Sequence, residues 1–335
     1  MPGLNKTRDR ILLILIGRLG DYLATTPFMA GLRKKYPAAV ITLITSGKAA
    51  NLASANRDID KLVIFSGWHN LPGTLRVFAA ALRRYDLALD LNPSFSRTSL
   101  RLITLGKAAE RLAFQKNSAP GDYTRTVPHI PDGENMLDKY ARLAAMLDFT
   151  PPPGMRITLC GKTLRQGELI FKTLNLPPEN FIVAVHPGNF KKFKNRWPED
   201  KFVRFTQEIL KNNRISVFYI SGPGEEKRIK ETIMPFLPGI ALLPPVPEEV
   251  TAAVLKNASI FFCNNTGTLH LAAAAGVPTF SLNRPYTEKC WQPQGKDNFF
   301  ITSKSADTCR DISVEDVLAG FHKAVEELNT RKANG

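Results

Sequence analysis

Four stretches of this chain set glycine beside side chains that can take a proton, carry charge or hold a hydroxyl, and each follows a short apolar run. Gly17-Arg-Leu-Gly-Asp21 comes directly after Ile11–Ile16. Its two glycines allow a tight turn, and Asp21 lands at the start of the next helix, where a carboxylate can act as a base or cap the helix. Residue type alone favours the cap. His186-Pro-Gly188 opens a second stretch that runs through Asn189, Lys194 and Arg196 to Trp197-Pro198. Its glycine and clustered cations suit a phosphate-bearing ligand, and equally a solvated basic loop. Ser221-Gly-Pro-Gly-Glu-Glu226 puts Glu225 and Glu226 at a helix start, able to accept from ribose hydroxyls or to cap. In Cys263-Asn-Asn-Thr-Gly-Thr-Leu-His270, Asn264 and Asn265 read as helix caps. Thr266 and Gly267 there offer unpaired backbone N–H groups to an anion. His270, a turn further on, either reaches a bound sugar or is an ordinary half-buried histidine. No GxGxxG is present, so none of these turns is a dinucleotide fingerprint.

Such groups converge only if the strands before them lie side by side. Apolar runs at 11–16, 40–45, 62–65 and 87–91 predict strands, and amphipathic stretches at 22–36, 72–84 and 135–147 predict helices. After Thr150-Pro-Pro-Pro-Gly154 the alternation resumes, with strands expected near 156–159, 181–186, 215–220, 258–262 and 278–281. Helices are expected near 161–175, 199–211, 247–256, 266–275 and 313–329. Near-continuous apolar strands alternating with helices imply parallel sheets covered on both faces. A length of 335 residues exceeds what one core supports. The expectation is therefore an α/β protein of two Rossmann-like domains, 1–150 and 151–330, facing a central cleft, with the last helix packing back toward the first domain. In open α/β sheets, ligands bind beyond the carboxyl ends of strands, where all four stretches fall.

Composition narrows the partners. The net charge is +15, with 21 Lys and Arg against 12 Asp and Glu in residues 1–150, and 24 against 18 in the rest. A field of that sign favours anionic partners. Nucleic acid is disfavoured, because the basic residues are scattered and lack interleaved aromatics for base stacking. The 4 cysteines have no CxxC spacing and suggest neither a zinc site nor a disulfide framework. The apolar run after Arg10 is too short to cross a membrane. The expectation is a cytoplasmic protein that rests on an anionic membrane face.

Taken together, the segments Arg10–Pro27, Leu32-Arg-Lys-Lys-Tyr-Pro37, His186-Pro-Gly188 with Arg196-Trp-Pro198, and Asn265-Thr-Gly-Thr-Leu-His-Leu-Ala-Ala-Ala-Ala-Gly-Val-Pro278 resemble the ADP-heptose:lipopolysaccharide heptosyltransferases, glycosyltransferase family 9, of the GT-B fold. The spacing agrees along nearly the whole chain. The resemblance implies an inverting, metal-independent transfer with no cofactor beyond the ADP-sugar co-substrate. It places an anionic lipid-linked saccharide acceptor in the first domain, at the cytoplasmic face of the inner membrane, and the nucleotide-sugar donor in the second. In it Asp21 is the general base and Arg18 contacts the acceptor. Gly188, Asn189, Lys194, Arg196, Thr266 and Gly267 hold the diphosphate, Asn265 and His270 the donor sugar, and Glu225, Glu226 and Val246 the nucleoside. Two positions depart from the family pattern: Asn195 stands where a lysine is common, and Asn265 where many members have aspartate. Those departures keep a second reading open, a non-catalytic nucleotide-sugar-binding protein, and a sugar-nucleotide epimerase of similar fold is a third.

Overall fold

The computed structural model describes residues 8–116, 121–128, 130, 133–188, 190 and 196–333. The chain divides into two compact units, Met1–Thr158 and Leu159–Gly335.

The first unit contains β1 (Arg10–Leu15), α1 (Leu19–Lys35), β2 (Val40–Ser46), α2 (Ala50–Ser54), β3 (Lys61–Phe65), α3 (Leu71–Ala81), β4 (Arg84–Asp90), α4 (Arg97–Leu105), β5 (Lys107–Phe114), β6 (Arg125–Val127) and α5 (Met136–Ala145). Its six strands are parallel, in the order β3-β2-β1-β4-β5-β6. Ile11, Leu12, Leu13 and Ile14 are fully buried, as befits a central strand covered on both faces. Helix α1 is apolar on nearly every side, with residues 22–29 all buried. Pro27 lies inside it and cannot supply the N–H that Leu23 would normally receive. The Thr26 hydroxyl donates to that Leu23 carbonyl instead, at 2.7 Å.

The second unit contains α6 (Gly161–Lys172), β7 (Phe181–His186), α7 (Glu199–Ile209), β8 (Ile215–Ile220), α8 (Glu226–Thr232), β9 (Ala241–Leu243), α9 (Glu248–Leu255), β10 (Ile260–Asn264), α10 (Gly267–Ala274), β11 (Thr279–Asn283), α11 (Pro285–Trp291), β12 (Asn298–Thr302) and α12 (Val314–Ala333). Its sheet is also six-stranded and parallel, in the order β12-β11-β10-β7-β8-β9. Counted from β7, that is the order of the first unit over again. Trp197, Phe202, Phe205, Phe262 and Phe280 form an aromatic core. Helix α12 inserts Val317, Phe321, Ala324 and Leu328 into the same core.

Sequence periodicity misplaces three features. Residues 156–159 form no strand; the Arg156 N–H donates to Thr26 Oγ1 on α1 rather than to a ladder. Helix α1 begins at Leu19 rather than near 22, so Asp21 is its third residue, within the first turn. Asn264 and Asn265 do not cap α10, whose N-cap is Thr266. The edge strands β6, β9 and β12, the inner strand β5, and the helices α2, α4, α8 and α11 go unseen by periodicity.

Candidate active site

Doubly wound sheets bind ligands where the strand order reverses, and each sheet here reverses once. In the first unit that point lies between β1 and β4, and in the second between β7 and β10. Asp21 follows β1, His186 ends β7, and Asn264 ends β10.

In the first unit the chain leaves β1 through Gly17 and turns into α1. Asp21 is the third residue of that helix, and its Oδ2 accepts the Arg18 N–H at 2.6 Å. The carboxylate is thus held by its own turn. A Cβ on Gly17 would stand 2.8 Å from Asp21 Cβ and 2.9 Å from Oδ2, so glycine is required there for the turn to close. The Ser46 hydroxyl at the end of β2 donates to the Gly17 carbonyl. Arg18 is exposed. Across the switch point, Asn92 Oδ1 accepts the Ile16 N–H at 3.0 Å, while its Nδ2 donates to Asp90 Oδ1 at 2.8 Å and to the Ile14 carbonyl at 3.3 Å. Asp90 is fully buried and takes a 2.7 Å contact from Lys116 Nζ and a 2.8 Å hydrogen bond from the Tyr123 hydroxyl. Burial draws the Lys116 ammonium below its ordinary range, with Asp90 acting in the opposite sense. Burial, with the charges of Asp21 and Asp90 added, holds the Tyr140 phenol well above its ordinary value. Tyr140 stays protonated and donates to the Leu91 carbonyl at 2.8 Å. A cleft of about 260 Å³ also opens in this unit, lined by Tyr22, Thr26, Asn56, Arg57, Asp58 and Arg156 among others.

The second unit's site is assembled from four segments. Asn264 is fully buried, and its Oδ1 accepts the Trp197 N–H at 2.9 Å. Its Nδ2 donates to the carbonyls of Pro187 and Gly188 at 3.1 and 3.0 Å, so one amide fixes both ends of the loop after β7. Asn189 and Lys194, expected on this loop, lie outside the described residues, as does Asn195. Arg196 is buried, donates from Nη1 to Glu199 at 2.8 Å and lies 4.9 Å from the Phe190 ring centroid. His186 bridges two further elements: its Nε2 lies 2.8 Å from Glu225 Oε2 and its Nδ1 2.9 Å from Thr268 Oγ1. Thr268 Oγ1 is in turn 2.7 Å from Thr266 Oγ1. Glu225 Oε2 also accepts the Gly222 N–H at 2.9 Å. A Cβ on Gly188 would lie 2.4 Å from His186 Nε2 and 2.5 Å from Glu225 Oε2. Only glycine fits over that pair.

The remaining expected residues are placed as follows. Thr266 and Gly267 are the N-cap and first residue of α10. Glu226 pairs with Lys230 on its own helix, and Val246 lies half-buried in the loop between β9 and α9. The Asn265 amide turns away from the α10 N-terminus and donates to Asn283 Oδ1 at 2.6 Å. His270 is 4 % exposed, with its ring centroid 5.8 Å from that of Trp291. Its buried Nδ1 has no hydrogen-bond partner. Burial lowers its pKa to about 4, so it is neutral at pH 7. His186, Thr268 and Asn264 were not singled out as site residues by sequence. Their one signal is that each is a polar residue at or just beyond the end of an apolar strand. Among the described residues, no group of three His, Cys, Asp or Glu side chains could hold a metal ion. No described helix is long and apolar enough to cross a membrane.

The model of glycosyltransferase family 9 (heptosyltransferase) matches residues 75–318, well over half of the chain. The chain belongs to this family. Family 9 proteins are glycosyltransferases, and the chain is accordingly a glycosyltransferase of that type. Among solved structures it is similar to a family 9 glycosyltransferase from Veillonella parvula, with a TM-score of 0.85, 19 % identity and coverage of 97 % of this chain and 100 % of that one. It is also similar to the ADP-heptose lps heptosyltransferase II of E. coli, with a TM-score of 0.76, 16 % identity and coverage of 95 % and 99 %. The E. coli heptosyltransferase WaaC, solved with ADP-2-deoxy-2-fluoro heptose, gives a TM-score of 0.69 at 20 % identity, with coverage of 94 % and 99 %. Identities this low establish the fold, α/β of the GT-B type. No curated protein sequence matches the chain.

Proposed function

We propose that this family 9 glycosyltransferase moves heptose, or a related sugar, from an ADP-sugar to an anionic lipid-linked saccharide of the lipopolysaccharide inner core, with Asp21 as general base. The reading includes a cytoplasmic protein working at the inner-membrane face. The observation that carries it is a carboxylate held beyond β1 by a bond from its own turn, in a chain of this family. WaaC, a structural neighbour, has been solved with ADP and with an ADP-heptose analogue, which supports the choice of donor.

In this mechanism Asp21 takes the proton of an acceptor hydroxyl as its oxygen attacks the anomeric carbon. The new C–O bond forms while the bond from the anomeric carbon to the diphosphate breaks, and the electron pair leaves with ADP. The sugar inverts at that carbon. Negative charge developing on the diphosphate is met by backbone N–H groups at Thr266 and Gly267, at the positive end of α10. Arg196, with Asn189 and Lys194, adds cationic and polar contacts from the loop that Asn264 clamps. Glu225, held by His186 and the Gly222 N–H, presents a carboxylate to the ribose, with Glu226 and Val246 completing the nucleoside contacts. His270 offers its unpartnered Nδ1 to a sugar hydroxyl, and Asn265 its amide Oδ1, the Nδ2 being held by Asn283. Arg18, with Arg57 and Arg156 of the first unit's cleft, faces the charge of the acceptor.

The test is ADP release from a panel of ADP-sugars, with and without truncated core lipid. Release that requires both ADP-heptose and the lipid is expected. Binding with no release across the panel, or rearrangement of the donor with no acceptor present, contradicts the reading.

A further inference from the structure

The surface of α3 and α4 is unlike the rest of the molecule. Of the twelve large apolar side chains exposed among the described residues, four fall between residues 68 and 82: Trp68 at 40 %, Leu71 at 66 %, Leu75 at 61 % and Leu82 at 55 %. The three leucines are spaced by four and seven residues, which sets them on one stripe of α3. The adjoining side of that helix buries Thr74, Val77, Ala80 and Ala81, and the leucine stripe is a further apolar face turned to solvent. Trp68 continues the stripe past the helix start, with its ring centroid 5.0 Å from that of Phe65 and 5.6 Å from that of Phe78.

Charge around the stripe is predominantly positive, the exposed Asp86 beyond Arg84 being taken up by the Asp9 and Arg10 N–H groups. Residues 61–85 contain Lys61, Arg76, Arg83 and Arg84 and no Asp or Glu; residues 91–109 contain Arg97, Arg101 and Lys107 and again no Asp or Glu. Arg76 and Arg83 flank the leucines, and Arg97 and Arg101 share an exposed stripe of α4, which packs beside α3. None of these four arginines makes an ion pair among the described residues, although 15 ion pairs occur elsewhere. Other surface cations of both units do have acidic neighbours, as in Arg33 with Asp60, Lys211 with Glu208 and Lys230 with Glu226.

We infer that the α3–α4 face docks on an anionic lipid surface, with Trp68, Leu71, Leu75 and Leu82 entering the headgroup region and Arg76, Arg83, Arg97 and Arg101 against lipid phosphates. An amphipathic helix with an apolar face, an interfacial tryptophan and flanking arginines is the combination that lies in a membrane interface, where apolar burial and attraction to anionic lipids act together. A purely electrostatic partner would have no use for three exposed leucines. An apolar protein partner would have no use for four unpaired arginines. The purpose of docking rests on the proposed lipid-linked acceptor, but the docking itself needs neither donor nor acceptor.

The test uses the full chain in flotation with phosphatidylcholine vesicles, with and without phosphatidylglycerol, while Trp68 fluorescence is followed. Binding to the phosphatidylglycerol vesicles is expected, with a blue shift that Trp68→Phe removes and a loss of binding as sodium chloride rises. Each of Arg76→Gln, Arg83→Gln, Arg97→Gln and Arg101→Gln should weaken binding about fivefold. Leu71→Ser combined with Leu75→Ser and Leu82→Ser should weaken it by on the order of a hundredfold. Circular dichroism and ADP binding report whether each variant is folded. Failure to bind, equal binding to both vesicle types, or a patch that instead drives self-association overturns the inference. Transfer to a water-soluble, delipidated acceptor, measured on the leucine variant, separates the two readings. Activity retained there with vesicle binding lost upholds both. Vesicle binding intact in the native chain with no transfer to any acceptor overturns the proposed function alone.

Discussion

The two units repeat one sheet order, yet they hold their strand-end residues in opposite ways. In each, an asparagine across the switch point fixes the outgoing chain: Asn92 accepts from Ile16 N–H in the first, and Asn264 from Trp197 N–H in the second. There the likeness stops. Asp21 takes its bond from Arg18, three residues away, whereas His186 joins Glu225 and Thr268, 39 and 82 residues away. In the proposed mechanism Asp21 is set in place by its own helix turn, where it would meet an incoming hydroxyl. The nucleotide cradle proposed for the second unit is braced by contacts between distant elements before any ligand arrives.

Substitutions that treat the two asparagines differently test this contrast most strongly. Asn264→Ala leaves the Trp197 N–H and two carbonyls without their partner in a fully buried place, and should cost about 3 kcal/mol in urea unfolding and abolish ADP binding. Asn92→Ala should cost about 2 kcal/mol and leave ADP binding unchanged. A loss of ADP binding in both would erase the contrast. An effect of the same size as that of Asn92→Ala comes from His270. Burial lowers its pKa from 6.5 to about 4, so the unfolded chain binds the extra proton in that window. The stability contributed by the neutral form is present above pH 6.5 and lost as the pH falls toward 4. At pH 5 the native chain should have lost about 2 kcal/mol that His270→Gln does not lose. Equal pH dependence in the two would contradict the burial of His270.

Smaller again is the effect of dividing the contacts of His186. An asparagine amide at 186 can imitate Nδ1 and keep Thr268, and a glutamine amide can imitate Nε2 and keep Glu225. His186→Gln should therefore bind ADP within about threefold of the native chain, and His186→Asn about tenfold more weakly, near the level of Glu225→Ala. Calorimetry with ADP measures both, and equal affinities would remove His186 as the support of Glu225. Least affected is Ser46→Ala, which removes one bond to the Gly17 carbonyl and should cost about 1 kcal/mol or less with turnover retained.

The same contrast decides what was legible in the sequence. Both sheets could be read from apolar runs such as Ile11–Ile16 and Phe181–Val185, because a strand buried on two faces has no polar alternation to hide it. Asp21 could be placed at a helix start from five consecutive residues. Edge strands such as β9 and β12 could not, being short and only partly buried. The His186–Glu225–Thr268 web was beyond reach for another reason. Its members are ordinary polar residues on three elements, and only the strand order brings them together. Asn264 shows the limit most plainly: asparagine before a helix reads as a cap, but as the last residue of β10 its side chain points across to the neighbouring loop.

The central claim is that Asp21 acts as the base while the second unit binds nucleotide independently of it. Asp21→Asn is nearly isosteric and can still accept the Arg18 N–H, but it cannot take a proton. Turnover of an ADP-sugar and core acceptor, measured alongside ADP affinity on the same variant, tests the claim directly. A fall in kcat of roughly 10²- to 10⁴-fold with ADP affinity unchanged is the predicted result. Undiminished turnover in Asp21→Asn would contradict it.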